Sequence, residues 1–271
     1  MRPNASASLQ RDRWWVVWWW MERPWGMRHL RGEYIDSMFR RLIDPIFARI
    51  PSQCVVCHAW PAQPVCEACV TRFAQPQMRC QRCALPVPAG VSQCGACLKS
   101  PPPLDACFAA VSYAYPWSDC ISSFKFHADT GWASTFATLL RSTPWVEPAL
   151  DDADWVLPLP LSAPRLRQRG FNQALLLARQ LAPEKTRAEL LLRIRDTPAQ
   201  SELKRPQRLR NVQGAFAAEP TLATQLHAKR VVLVDDVMTS GASLCAAASA
   251  LRQAGVAHIT ALVVARTDAP Q

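Results

Sequence analysis

The apolar positions along this chain change period several times, and each change marks an element. The most decisive stretch is VVLVDDVMTSGAS, residues 231 to 243, where four apolar β-formers run into two adjacent acids and then a loop of small and hydroxyl residues. An unbroken apolar run of this length suits a strand buried on both faces, as in parallel α/β sheets. ASLCAAASALRQAG then has helical periodicity and stops at Gly255, and HITALVVAR (258–266) supplies another buried strand. Upstream, FAAVSYAY (108–115) alternates in part as a strand, and Trp117 to Phe126 follows as a helix. TGWASTFATLLRS continues as a second helix with Leu139 and Leu140 turned to the core. Trp155 to Leu157 form a short strand, and PLPLS is a rigid turn from which the chain enters a helix near Phe171 or Asn172. The segment 191–216 has no sustained period; it holds one short strand and a long loop of the kind that often forms a lid or binding segment.

Before this alternating region lies KSPPPLD (99–105), a stiff proline linker and the expected domain boundary. Strands alternating with helices beyond it predict an α/β domain over 105–271, with a parallel sheet and flanking helices. A smaller domain is expected over 38–104. It opens with Met38, Leu42, Ile46 and Ile50 spaced four apart, an amphipathic helix that Pro45 begins, kinks or interrupts. Residues 1–37, with WWVVWWW at Trp14 to Trp20, have clustered Trp and Arg but no period. They read as an extension outside the fold, either disordered or translated upstream of a start at Met27 or Met38. A segment lying in a membrane interface is the alternative.

Eight cysteines give the smaller domain its chemistry. They form four C-x-x-C pairs: Cys54/Cys57, Cys66/Cys69, Cys80/Cys83 and Cys94/Cys97. A two-residue gap aims both sulfurs at one ion, and two such knuckles complete a tetrahedral thiolate site, so the array suits two structural zinc ions. Sequential pairing of the knuckles is preferred to pairing first with third, although spacing alone leaves both open. A redox role is the rival, but four dispersed repeats without a βαβ pattern argue against it. His58 is expected at the surface rather than on the metal, and Cys107, Cys120 and Cys245 as small buried apolar residues.

Charge sharpens the picture of the larger domain. The chain carries 31 Lys and Arg against 21 Asp and Glu, a net +10. From Leu161 to Ala215 there are twelve basic against four acidic residues, so most of the excess sits in one segment. Such a segment suits a polyanionic ligand, whether a small phosphorylated molecule or nucleic acid. No apolar run approaches the eighteen or so residues that a spanning helix needs, so no stable membrane insertion is expected. The N-terminus lacks the ordered regions of a signal peptide, and the expected location is cytoplasmic.

The candidate site gathers around the opening stretch. Asp235 and Asp236, at the strand's carboxyl end, can accept hydrogen bonds from vicinal hydroxyls. Thr239, Ser240, Gly241, Ala242 and Ser243 offer backbone N–H groups, hydroxyls and a helix N-terminus to an anion such as phosphate. Arg165, Arg167 and Arg169 crowd the turn after PLPLS, where a guanidinium fork suits a second phosphate. Each feature also has a plainer reading: an ordinary βα connection, an exposed basic turn, and for Lys125 a solvated lysine.

The segment 231–243 resembles, over its full length, the phosphoribosyl pyrophosphate signature of type I phosphoribosyltransferases. That signature is four hydrophobics, two acids and a T-[ST]-G-[AG]-[ST] loop. With the C-x-x-C array, Phe124-Lys125-Phe126, PLPLS, RGFNQA at Arg169 to Ala174 and the loop from Arg193 through Gln200 to Asn211, residues 38 to 267 are similar to the ComF family of competence-associated proteins. The resemblance implies a type I phosphoribosyltransferase-like domain preceded by a double zinc ribbon. It implies that Asp235 and Asp236 contact ribose hydroxyls, that Thr239 to Ser243 cradle a 5′-phosphate, and that the loop after Leu157, with Arg165 and Arg169, faces pyrophosphate. Mg²⁺ would bridge pyrophosphate and ribose oxygens, and transfer to a nitrogen acceptor is the implied reaction. The alternative is a non-catalytic factor in DNA uptake that binds single-stranded DNA or a helicase partner.

Overall fold

The computed structural model describes residues 53–60, 63–127, 129–196, 212 and 214–268. Residues 1–37, the helix expected at 38–50, and Thr197, Gln200, Arg208 and Asn211 of the basic loop lie outside the described residues. Ser52–Gln271 form one compact unit. Its elements begin with two short helices in the cysteine-rich segment, α1 (Glu67–Phe73) and α2 (Gly95–Lys99). Then come β1 (Ala106–Ser112), α3 (Trp117–Phe126), α4 (Trp132–Arg141), α5 (Val146–Asp151) and β2 (Trp155–Pro158). These are followed by α6 (Ala163–Arg169), α7 (Gln173–Leu181), β3 (Leu191–Arg193) and β4 (Phe216–Ala218). The chain closes with β5 (Arg230–Met238), α8 (Ala242–Gln253) and β6 (His258–Arg266).

Four strands form one parallel sheet in the order β1-β6-β5-β2. Burial on both faces explains the unbroken apolar run of β5: Val231 to Val234 are each at most 1 % exposed. Strand alternation splits them. Val232 and Val234 pack in one core with Phe136 and Leu140 of α4 and Leu177 of α7. Val231 and Leu233 pack in a second core with Leu244, Ala247 and Leu251 of α8. Helices therefore cover both faces, as the α/β pattern predicts.

β5 is longer than its apolar run. Its ladder with β6 continues through Asp235↔Val263 to Met238↔Arg266, because β6 offers nine residues of partner backbone. The two acids are thus fixed within a paired strand instead of standing just beyond it. At the other end of α8, Gly255 has φ +83°, and a Cβ there would press on the His227 ring, so glycine is required where the helix ends. The short strand expected in the basic segment is β3, and it pairs antiparallel with β4 just beyond the segment, from Leu191↔Ala218 to Arg193↔Phe216. β4 escaped the pattern because three residues are too few to show a period.

The cysteine-rich segment is fastened to this sheet by backbone-directed bonds. Trp117 Nε1 donates to Phe73 O at 2.8 Å, and Cys107 N donates to Gln81 O at 2.8 Å. Just before β1, Asp105 Oδ2 accepts from Ile259 N of β6 at 2.7 Å and pairs with Arg252. Burial opposes ionisation of Asp105, but the Ile259 N–H and the Arg252 guanidinium outweigh it and hold the carboxyl below its ordinary value. Asp105→Ala is expected to cost about 2 kcal/mol in a denaturant titration, the scale of a hydrogen bond to a charged group. Because the folded value is depressed, this contribution is present above the ordinary carboxylate range and is lost as pH falls through the lowered value. The wild-type-to-variant difference should therefore shrink in acid.

Candidate functional site

Strand alternation makes the two acids of β5 unlike one another. Asp236 faces the α3 side, where Lys125 Nζ meets its Oδ1 at 3.0 Å; the two side chains are only 17 % and 9 % exposed. Lys125, at the carboxyl end of α3, is therefore not a solvated lysine. Asp235 lies on the other side of the strand, half-buried, and its Oδ1 accepts from the Asp236 N–H at 2.9 Å. Burial, and then the neighbouring Asp236 charge, push the Asp235 carboxyl up to about 8; Lys125 and the Asp236 N–H oppose this only in part.

Directly after the acids, the chain makes the turn that the small residues require. Gly241 has φ +77°, a left-handed conformation that strains any side chain, and a Cβ there would also displace the Met238 Cε methyl. Ser240 Oγ accepts from Ala242 N at 3.4 Å, and Cys245 N donates to Gly241 O at 2.9 Å as α8 begins. The first-turn N–H groups of α8 have no intrahelical carbonyl, and its positive dipole end lies at the loop. Thr239 to Ser243 thus join the tip of β5 to the start of a twelve-residue helix.

The arginines reach this place by a route that differs from the expected turn. Residues 163–169 form α6, and Gly170 closes it in the left-handed region at φ +79°. Asn172 then caps α7, its Oδ1 accepting from Ala174 N at 2.9 Å and Leu175 N at 3.4 Å. Pro164 in the first helical turn explains why this proline-rich stretch is helical. Arg165 and Arg169, four apart on α6, share a partly buried face, and Arg167 points to solvent. Arg169 lies 5.1 Å over the Phe126 ring and donates to Gln173 Oε1 at 3.1 Å. Burial lowers its guanidinium, the charges of Asp236 and Asp235 raise it, and Arg165 acts on it as a like charge. Arg193 on β3, which the sequence marked only as the start of a loop, feels the charges of both Arg165 and Asp235. Two acids and four basic side chains thus interact around the end of β5.

The cysteines form two separate centres. The sulfurs of Cys54, Cys57, Cys66 and Cys69 lie within 4.8 Å of one another, as do those of Cys80, Cys83, Cys94 and Cys97. Pairing is therefore sequential. Each centre has the same construction. His58 N donates to Cys54 O and Ala84 N to Cys80 O, both at 2.8 Å, with His58 and Ala84 in the left-handed region. Cys66 N donates to Cys54 Sγ and Cys94 N to Cys80 Sγ, both at 3.3 Å. Burial disfavours the Cys54 thiolate, but the N–H groups of Cys66, Cys57 and Val56 prevail and bring it down to about 6. Against the same burial, the N–H groups of Cys94, Arg82 and Cys83 bring Cys80 to about 7. Four convergent sulfurs with N–H support are a donor set that fits Zn²⁺. His58 is exposed and outside both centres; Cys107 and Cys120 are buried, whereas Cys245 is only partly so.

Comparison with known proteins bears on the same residues. A family model of the phosphoribosyl transferase domain matches residues 167–271, from the second half of α6 to the C-terminus. The DNA utilization protein YhgH of Salmonella typhimurium is 31% identical over 233 residues, covering 80% of this chain and 98% of that protein. Competence protein F of Haemophilus influenzae is 31% identical over 201 residues, 69% of this chain and 84% of that protein. Competence protein ComFC of Bacillus subtilis is 34% identical over 140 residues, 51% of this chain and 55% of that protein.

Two outcomes follow from the geometry. Elemental analysis of the purified protein should find about two zinc ions per chain, one for each four-sulfur centre; one or none contradicts the donor sets. The raised Asp235 carboxyl contributes stability that is complete below the denatured value of about 4 and is lost as pH rises through about 8. Asp235→Asn should flatten that decline in thermal melts, and an unchanged slope would show that the carboxyl is not perturbed.

Proposed function

The chain belongs to the ComF family of competence-associated proteins, and we propose that its phosphoribosyltransferase domain binds phosphoribosyl pyrophosphate with Mg²⁺ and transfers the phosphoribosyl group to a nitrogen acceptor. The observation that carries this reading is the sequence of groups at the end of β5: two acids, then the Gly241 turn, then the start of α8, with Arg165 and Arg169 opposite. In this reading Asp235 and Asp236 accept hydrogen bonds from the two ribose hydroxyls, and the loop 239–243 holds the 5′-phosphate. Arg165 and Arg169 lie with the pyrophosphate. Mg²⁺, bound along with this ligand, would be held mainly by ligand oxygens and water and would offset the charge of the pyrophosphate.

The chemistry asked of the chain's own residues is electrostatic. The acceptor nitrogen's lone pair forms the new bond at the anomeric carbon. The carbon–oxygen bond breaks, and its electron pair leaves on pyrophosphate. Positive charge grows on the sugar ring near the two acids as negative charge grows on the departing group near the arginines. No covalent residue is needed. Lys125 holds the Asp236 carboxylate in place from the α3 side.

A second reading has support of its own, in the relatives named for DNA utilization and competence and in the basic segment 161–215. In it, the chain binds single-stranded DNA or a helicase partner without catalysis. Binding to DNA would then weaken steeply with salt, and substitution of Arg165, Arg167 and Arg169 would reduce both affinity and salt dependence.

Thermal melts decide the first reading. Phosphoribosyl pyrophosphate with Mg²⁺ at one hundred times its dissociation constant should stabilise the protein by about 2.7 kcal/mol, a shift of a few degrees. Asp235→Asn combined with Asp236→Asn should abolish the shift. No shift in the wild-type protein would sink the sugar-phosphate assignment.

A further inference from the structure

Beneath the phosphate loop lies a buried cation that the sequence reading did not single out. Arg266, the last residue of β6, is 4 % exposed, and among the described residues no carboxylate pairs with it. Its guanidinium donates in two directions instead. Nε donates to the carbonyl of Cys83 at 2.9 Å. Nη1 donates to Met238 O at 3.1 Å and Thr239 O at 2.5 Å, and also to Thr267 O at 2.6 Å and Thr267 Oγ1 at 3.2 Å. Cys83 is a member of the second four-sulfur centre, and Thr239 opens the phosphate loop. One planar side chain therefore spans from a metal knuckle to the anion-binding turn.

A second line of contact runs beside it. Cys107 Sγ approaches Met238 Sδ at 3.6 Å, and Cys107 N is held by Gln81 O of the same ribbon at 2.8 Å. Met238 in turn lies where any side chain at Gly241 would clash. The first ribbon is fastened elsewhere, through Phe73 O and Trp117 on α3. The two centres, built alike, are thus attached to different elements, the first to α3 and the second to β1 and the end of β6.

The energetics give this bridge a direction. A buried guanidinium is costly unless its hydrogen bonds are met and its charge is compensated. A zinc ion held by four thiolates is a dianion, and when the second centre is loaded that charge lies on the ribbon side of Arg266. The same rigid fork then fixes the Met238 and Thr239 carbonyls. We propose that Arg266 is a positioning residue through which the second zinc centre sets the shape of the phosphate loop, so that loss of metal from Cys80, Cys83, Cys94 and Cys97 weakens phosphate binding at Thr239 to Ser243. The ligand named in this inference rests on the phosphoribosyl pyrophosphate reading; the coupling itself does not.

Two measurements test it on the full chain. Calorimetric titration of zinc-loaded protein with Mg²⁺ and phosphoribosyl pyrophosphate should show Arg266→Met binding at least about tenfold more weakly than wild type, the scale of outer-shell effects. Arg266→Lys should recover part of the loss, since an ammonium keeps the charge but not the fork. Wild-type affinity in Arg266→Met overturns the inference. Hydrogen exchange on unmodified protein during graded chelation gives the second arm. As peptides spanning Cys80 to Cys97 open, the amides of Cys245 and Thr267, which donate to Gly241 O and Met238 O, should lose protection in step. Opening of the ribbon with these two amides unchanged refutes the coupling. If the wild-type protein fails to bind phosphoribosyl pyrophosphate, the ligand assignment falls, and the exchange arm still decides the coupling.

Discussion

Burial of β5 on both faces is the constraint from which the rest of the site follows. Val231 to Val234 have no exposed side, so the strand has a single register and each later residue has an assigned face. That register sends Asp236 toward α3 and Lys125, and Asp235 to the other side. It also sets where the Gly241 turn stands and where α8 starts. A one-residue slip would exchange the two acids and bury both in the wrong core. The site is therefore held by hydrophobic packing, although the groups that line it are polar.

The perturbed groups show what that placement costs. Asp235 is driven toward its neutral form by burial and by its neighbour's charge, with partial relief from Lys125. Arg169 is held over Phe126 and partly stripped of water. Like-signed groups held close together in a fold are a store of binding energy, because a ligand with hydroxyls for the acids and phosphates for the arginines relieves both. The cysteine centres work the other way. Their N–H···S bonds lower Cys54 and Cys80 toward the thiolate, so metal binding and folding support one another.

The strands, the helices and the four C-x-x-C pairs were legible in the sequence because each is written in a local period or spacing. Trp117 to Phe126 and the residues 258–266 were bounded from pattern alone, and Val231 to Val234 marked the doubly buried part of β5. The parts that were not legible depend on the third dimension. Residues 163–169 looked like a turn because prolines surround them, yet Pro164 sits where a helix tolerates it. Lys125 looked solvated because its partner Asp236 is more than a hundred residues away in the chain. Arg266 stood only as the last position of a buried strand, and the folded chain alone shows its carbonyl partners at Cys83 and Thr239. Cys245, expected in the core, is left partly exposed on the flank of α8.

In the proposed reading the acids and the loop 239–243 hold one part of the ligand and the arginines the other, which makes one demand that a simple anion patch does not. Calorimetry with Mg²⁺ present should compare phosphoribosyl pyrophosphate with ribose 5-phosphate and with pyrophosphate. The intact ligand should bind at least about a hundredfold more tightly than either half, since joining the halves makes the second contact intramolecular. Pyrophosphate alone binding as tightly as the intact ligand would contradict it.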